Sequence, residues 1–503
     1  MHLRKFLADI LFVAFLIAAS FFYGYFSIID RPPEGIHVWR QADGASLAYN
    51  YYSDGNSLLE PQMNNQMENR GKAAGEFPIM YYFVAVCYHI FGFDYSVYRI
   101  IWLLTTYIGL FFLYRLSSKI LKSSLYGAFA SAFLFTSPVY VVYSISFISD
   151  SIALSISFIG LYFIYQYSQR KSIKNVVWSI VFIAMAGLLK ITTIIPTLAL
   201  LGTLMISNVL SFYKKERNYL LKLEGIVGFF FVFAILFVWY QYASWYNLEN
   251  ETDYFFLRTA PIWSASTELI HEVKQALMVW KDTYLYQYGR YFILVLMGLV
   301  IVPVYHQKIS SLYYNFYLLN LIGIASFFLL FYIQFMYHDY YAIALMIIIP
   351  LTIVMFIKKY SWLIERNIVT TTLFSGTLAV FLVLSVIHTS KNVNSRFNPD
   401  TEWLTNLYQM ESQLMEHGIM EDDLIVAPDD SSPNVVLNAL KRKGWSAINA
   451  VDQENVLNSK IKLGAKYMVV VDTNFYTNPI IDPYRRNLVF THKGIKIYKL
   501  TND

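Results

Sequence analysis

The sequence predicts a polytopic α-helical membrane protein of about eleven transmembrane helices, with a small α/β domain at its C-terminal end. Three observations carry that expectation. Of 503 residues, 56% are hydrophobic and only 15% charged, against about 25% charged in an ordinary soluble chain. Apolar runs of about 17–22 residues, the length that crosses a bilayer, follow one another from the N-terminal end. Past residue 389 the pattern changes to polar helix-like stretches alternating with short apolar strands.

The first run, near 6–26, follows Arg4 and Lys5 without a small-residue cleavage site and reads as a retained signal-anchor. Ten more runs lie near 98–115, 125–143, 149–167, 175–189, 191–211, 224–243, 291–305, 312–334, 340–357 and 368–388. Basic residues mark every second junction: Arg4 and Lys5; Arg115, Lys119 and Lys122; Arg170, Lys171 and Lys174; Lys214, Lys215 and Arg217; Lys308; Lys358, Lys359 and Arg366. The alternate junctions near 144–149 and 335–339 hold neither Lys nor Arg. The positive-inside tendency then puts the N-terminus in the cytoplasm and the C-terminal segment outside the cytoplasmic membrane.

One apolar run, FPIMYYFVAVCYHIFG from Phe77 to Gly92, is short and would invert every later junction if it crossed. It reads as an interfacial helix on the outer leaflet, inside a long first outer loop over 27–97. A second outer loop over 244–290 is rich in aromatics and mixed charge, Arg258 among them. The chain therefore reads as a transmembrane domain, 1–389, with long outer loops, and a soluble domain, 390–503. Strands are expected at LIVA (424–427), YMVVV (467–471), and the LVF and IKIYKL segments near the end.

Composition excludes several chemistries. The net charge of +5 arises from short clusters that flank apolar runs, so no nucleic-acid partner is expected. Cys87 is the single cysteine, which rules out disulfides and cysteine-based metal sites. There is no P-loop and no glycine fingerprint between strand and helix, nor a serine nucleophile elbow. An enzyme of this kind draws on a donor other than a cytosolic nucleotide, and a lipid-linked donor fits.

The segment Ile36–Asp54 concentrates His37, Trp39, Arg40, Gln41 and Asp43 in a chain that otherwise avoids charge. Ionisable groups at a bilayer edge mark sites more often than scaffolds. Asp43 can act as a general base or ligate a divalent cation; the alternative is a solvated loop carboxylate that caps the helix after it. Asp150, at the head of the fourth run, falls in the same interfacial layer, again with capping as the alternative. Lys190 is the lone cation of the short outer junctions, suited to a lipid phosphate or simply snorkelling. Glu76 precedes the interfacial helix, where the helix dipole favours a carboxylate. His338, Asp339, Tyr340 and Tyr341 form a polar knot suited to a sugar or a phosphate, within an ordinary aromatic belt.

The order of these pieces over residues 1–360 resembles the GT-C glycosyltransferases, in particular the family-39 branch of protein O-mannosyltransferases and aminoarabinose–lipid A transferases. The matching parts are Asp43, FPIMYYFVAVCYHIFG, YRIIWLLTTYIGLFFLYRLSSKI, SDSIALSISFIGLYFIY, the GLLK turn and the late HDYY. The resemblance implies a GT-C fold and an inverting transfer from a polyprenyl-phosphate sugar to a glycan, lipid or protein acceptor. It implies Asp43 as base, Asp150 as a second acidic residue, Lys190 on the polyprenyl phosphate with help from Arg40, and Glu76 and His338 shaping the pocket. A divalent metal held by Asp43 and Asp150 is part of the expectation. Ala42-Asp43 stands where many relatives carry Asp-Glu, and HVWRQAD lies nearer to bacterial members outside the named transferases. Two rivals are a polyprenyl-linked polysaccharide polymerase or ligase, with its essential residues in 244–290, and a transporter, which calls for repeated halves and charges at mid-bilayer.

Overall fold

The computed structural model describes residues 2–215, 222–255, 259–302, 310–397, 402–446 and 453–500. Arg217, Arg258 and Lys308 lie outside the described residues. The chain divides into two compact units. The first comprises residues 1–29, 99–240 and 258–396, and the second 30–98, 241–257 and 397–503.

The first unit is helical. Among the described residues, eight helices are long and apolar enough to cross a membrane: Lys5–Phe22, Tyr95–Leu121, Asp150–Arg170, Ile191–Tyr213, Leu223–Glu249, Ser311–Leu330, Asp339–Ile364 and Ile368–Phe397. This is a multi-pass membrane protein. The other three expected runs are also helical but not single long helices. The run near 125–143 is split into Ser124–Leu134 and Pro138–Tyr143, because Pro138 at a first helical position has no N–H to continue the preceding helix. The run near 175–189 forms Ile173–Leu189, of 17 residues. The run near 291–305, whose last three residues lie outside the described residues, falls on one limb of a pair, Thr267–Tyr284 and Gln287–Ile301, bent by 95°.

Small residues set how closely these helices approach. A Cβ on Gly109 would lie 2.4 Å from the Ser155 carbonyl oxygen, and one on Gly160 would lie 2.5 Å from Ile183. The helix Asp150–Arg170 is therefore pressed on two sides by neighbours that tolerate no added methyl group.

The second unit holds a five-stranded sheet: β1 Leu424–Ala427, β2 Gly444–Ser446, β3 Ala465–Val470, β4 Leu488–His492 and β5 Ile495–Lys499. The strand order is β2-β1-β3-β5-β4. β1 runs parallel to β2 and β3, while β5 is antiparallel to β3 and β4. Lys493 and Gly494, with φ of 44° and 84°, make the two-residue turn between β4 and β5 that matches strand twist. Side chains alternate as the pleat requires. Ile425, Ala427, Val469, Ile495 and Ile497 enter one core cluster, and Val426, Met468, Val470 and Tyr498 enter the other.

The first of those clusters also takes in Ala42. The helix Val38–Ser53 is thus a structural layer of the sheet-bearing unit. Two further pieces of the 27–97 segment join it: Trp445 donates its indole N–H to the Met67 carbonyl (2.7 Å), and Asn65 donates to the Pro433 carbonyl (2.6 Å). The C-terminal segment was expected to stand as its own domain from residue 390. The compact unit instead combines 397–503 with 30–98 and 241–257. The helix Ile79–Phe91 has 13 residues, about 20 Å at 1.5 Å per residue, short of a bilayer crossing.

Candidate active site

Asp43 lies within the helix Val38–Ser53 and is buried, with 6% of its surface exposed. It is therefore neither solvated nor a cap; the N-cap position is His37, in the left-handed region at φ 53° and without a side-chain cap bond. The helix starts early because Gln41 donates its amide to the Glu34 and Ile36 carbonyls (2.7 and 2.8 Å), folding the entering chain back on the first turn.

Asp43 Oδ1 accepts a 2.6 Å hydrogen bond from the Tyr254 hydroxyl. Its Oδ2 lies 3.9 Å from the Arg40 guanidinium, one turn earlier. Arg40 is engaged elsewhere: it pairs directly with Glu76 and lies 5.4 Å from the centre of the Phe255 ring. Glu76 also accepts from the Tyr81 hydroxyl (2.6 Å). It precedes the helix Ile79–Phe91 rather than occupying its first turn. One cation thus serves two carboxylates. Burial pushes the Asp43 carboxyl up to about 6, against the attraction of Arg40 and the Tyr254 hydrogen bond, and Glu76 adds to the rise. Burial and the neighbouring Asp43 charge raise the Tyr254 hydroxyl well above its ordinary range. Tyr254 therefore stays a donor.

In the helical unit, Asp150 is the first residue of its helix, and Ser149 before it makes no side-chain cap bond. Asp150 Oδ1 lies 3.0 Å from Lys190 Nζ. Lys190 sits in extended backbone (φ −157°) where the helix Ile173–Leu189 gives way to the 3₁₀ turn Ile191–Ile194. Its ammonium also faces the rings of Tyr340 and Tyr341, 5.6 and 4.6 Å from their centres. Lys190 does not snorkel freely; it is held by a carboxylate and two aromatic faces.

Asp339 anchors that aromatic pair. It is fully buried, with Oδ2 2.6 Å from Arg396 and Oδ1 accepting from Tyr143 at 2.7 Å. His338 packs its ring on Tyr340 and Tyr341, centres 5.1 and 5.6 Å apart. Asp339 therefore holds the turn, and Tyr340 presents its face to Lys190.

The structure thus brings Arg40, Asp43 and Glu76 together in one unit, and Asp150, Lys190 and Tyr340 in the other, with Asp339 and His338 behind Tyr340. Tyr254, Phe255, Tyr81, Tyr143 and Arg396 were not foreseen. The aromatic richness of 244–290 pointed to the first two without singling them out. Trp39 is half exposed and does not enter the Asp43 network. No group of three His, Cys, Asp or Glu side chains suited to a metal occurs among the described residues. Asp43 already faces Arg40 and Asp150 faces Lys190, so the donor set does not fit a resident divalent ion.

Comparison with known proteins follows the same lines. Residues 75–239 match the family model described as dolichyl-phosphate-mannose-protein mannosyltransferase. No curated protein sequence matches. The apo structure of ArnT from Cupriavidus metallidurans superposes with a TM-score of 0.61 at 12% identity, over 99% of this chain and 98% of that one. The same protein bound to undecaprenyl phosphate gives 0.59 at 12% identity, over 98% of each chain. The fold is that of a GT-C glycosyltransferase. The oligosaccharyltransferase of Archaeoglobus fulgidus, in complex with zinc and sulfate, gives 0.56 at 12% identity, over 90% of this chain and 67% of that one. The segment matching the family model begins one residue before Glu76 and includes Asp150 and Lys190, so both side-chain clusters contribute residues to the matched segment.

Proposed function

We propose that the protein is a polyprenyl-phosphate-sugar-dependent glycosyltransferase acting at the outer face of the cytoplasmic membrane, with Asp43 as general base. The observation that carries this is the state of Asp43: a buried carboxylate with a proton affinity near neutrality, next to a cation largely taken by Glu76. A base is most effective when its pKa lies near the working pH. Family match and fold support the transferase class, and the undecaprenyl phosphate bound to the Cupriavidus protein supports a lipid-linked donor.

In this reading the acceptor hydroxyl or amine gives its proton to Asp43 as its oxygen or nitrogen bonds to the anomeric carbon. The bond from that carbon to the phosphate oxygen breaks on the opposite face, inverting the centre and releasing polyprenyl phosphate. Lys190 offsets the charge of the leaving phosphate, and Asp150 keeps Lys190 in place until the phosphate competes for it. Side-chain hydrogen bonds from Tyr254 and Asn434 hold the Asp43 carboxylate in place for that proton transfer. No step runs through a metal ion.

The test is turnover by purified protein of a short-chain polyprenyl-phosphate sugar. Asp43→Asn is expected to abolish product while leaving the fold intact. Wild-type kcat/KM is expected to fall as pH drops through about 6, since the protonated carboxyl accepts nothing. Turnover that survives Asp43→Asn, or a flat acid limb, would remove Asp43 from the role of base.

A further inference from the structure

The sheet-bearing unit contains a cavity of about 560 Å³ that the chemistry above does not use. It lies where β1 and β3 end, between the segments 429–431 and 471–473, and is lined on another side by Lys493 and Gly494 of the hairpin turn. Crevices beyond the carboxyl ends of parallel strands are the usual ligand sites of open α/β sheets, and the volume is in the range of small-molecule pockets.

Two indoles line it. Trp39, on the helix that carries Asp43, is 51% exposed, and Trp403 is 39% exposed. Large aromatic rings left open inside a concavity offer flat apolar faces to a ligand. The polar wall is acidic, and two of the four carboxylates among its described residues are occupied by the fold. Asp430 accepts from the Ser432 and Val436 amides (both 2.9 Å), and Asp472 accepts from the Asn474 amide (2.8 Å). Asp429 differs. Its Oδ2 takes both the Val471 and Asp472 amides (2.7 and 2.6 Å), while its Oδ1 is buried without a hydrogen-bond partner. A buried acceptor with no donor is costly unless something supplies one.

The geometry points to a saccharide subsite, and we propose that this cavity holds a neutral or amino-bearing sugar unit, its C–H face on Trp403 and Trp39 and a hydroxyl or ammonium donating to Asp429 Oδ1. Among the described lining residues, Asp429, Asp430, Asp472 and Glu402 outnumber the single basic one, Lys493, which selects against phosphate and other anions. Trp39 and Asp43 are four residues apart on one helix, about 6 Å along its axis and on the same face. The sugar held here therefore belongs to the acceptor, a link that rests on Asp43 being the base; binding itself does not.

The experiment is tryptophan-fluorescence titration of the full chain in detergent, with cellobiose, glucosamine, inorganic phosphate and calcium chloride as separate probes. Saturable quenching by cellobiose or glucosamine is expected, weakened at least tenfold in Trp403→Ala and several-fold in the near-isosteric Asp429→Asn, and unchanged in Asp43→Asn. Turnover with a glycan acceptor is expected to show a raised acceptor KM and unaltered kcat in Asp429→Asn. Absence of sugar binding at tens of millimolar, binding indifferent to both variants, or a response to calcium or phosphate in place of sugar overturns the subsite. Sugar binding without any effect of Asp43→Asn on turnover keeps the subsite and removes the base.

Discussion

Asp43 in the sheet-bearing unit and Asp339 in the helical unit are both buried carboxylates beside an arginine, and they are satisfied to different degrees. Asp339 has Arg396 at 2.6 Å and the Tyr143 hydroxyl at 2.7 Å, one on each oxygen. Asp43 has Tyr254 at 2.6 Å, but its arginine stands at 3.9 Å and pairs closely with Glu76. A carboxylate with an aligned cation is committed to holding structure. One whose cation is shared keeps an appetite for a proton. The difference lies in where the guanidinium points, not in burial.

The comparison breaks most visibly if the two aspartates are changed in turn. Asp43→Asn is expected to lower kcat by about 10²–10⁴-fold, the usual contribution of a positioned base, measured as single-turnover product formation. The same substitution is expected to stabilise the protein near neutral pH. The folded carboxyl titrates near 6 against an ordinary 3.8, so the folded state binds that proton more tightly than the unfolded one. Below about pH 4 both states are protonated and Asp43 costs nothing; above about pH 6 both are ionised and it costs about 3 kcal/mol. Thermal unfolding at pH 7.5 and pH 4 separates the two: Asn should gain at the first and not at the second.

Arg396→Met gives the opposite result. Leaving Asp339 buried without its cation is expected to cost about 3–5 kcal/mol, with kcat falling only as far as Tyr340 shifts. A variant of full stability would end the structural assignment. Lys190→Met is expected to raise donor KM roughly tenfold, the scale of one charge-assisted contact, with Lys190→Arg restoring part of it; an unchanged donor KM in Lys190→Met would remove Lys190 from phosphate binding. The smallest effect sharpens the comparison most. Glu76→Gln removes a charge that raises the Asp43 carboxyl and frees Arg40 to approach it. The acid limb of the pH–rate profile is expected to move to lower pH, and a move upward would contradict the sharing of Arg40.

Much of the membrane part was legible because its physics is local. Span length and the break between two apolar runs at Lys190 follow from neighbouring residues, whereas the division of the 125–143 run at Pro138 was not anticipated. The strands at 424–427, 467–471 and near 490–499 were legible for the same reason, each being an apolar run between polar turns. β2 was not: Gly444–Ser446 is three residues with no run to detect, and it is placed by β1 pairing. The candidate site was visible as residue types but not as a network. Tyr254 meets Asp43 across 211 positions and Arg396 meets Asp339 across 57, distances at which a single sequence gives no pairing signal. The start of the helix that carries Asp43 was not legible, since Gln41 rather than Asp43 organises the entry. That is why capping looked reasonable for a residue that lies a turn and more inside.

Ala42 is fully buried in the core cluster that also holds Val435, Leu437 and Ile425. Its neighbour Asp43 thus inherits its placement from strands and helices encoded some 380 residues downstream, about the separation between Ala42 and Ile425. The genetic consequence is a long mutational shadow. Frameshifts, early stops and core lesions anywhere after residue 397 are expected to behave as active-site mutations in a phenotypic screen, although every reactive side chain named for the transfer is encoded before them.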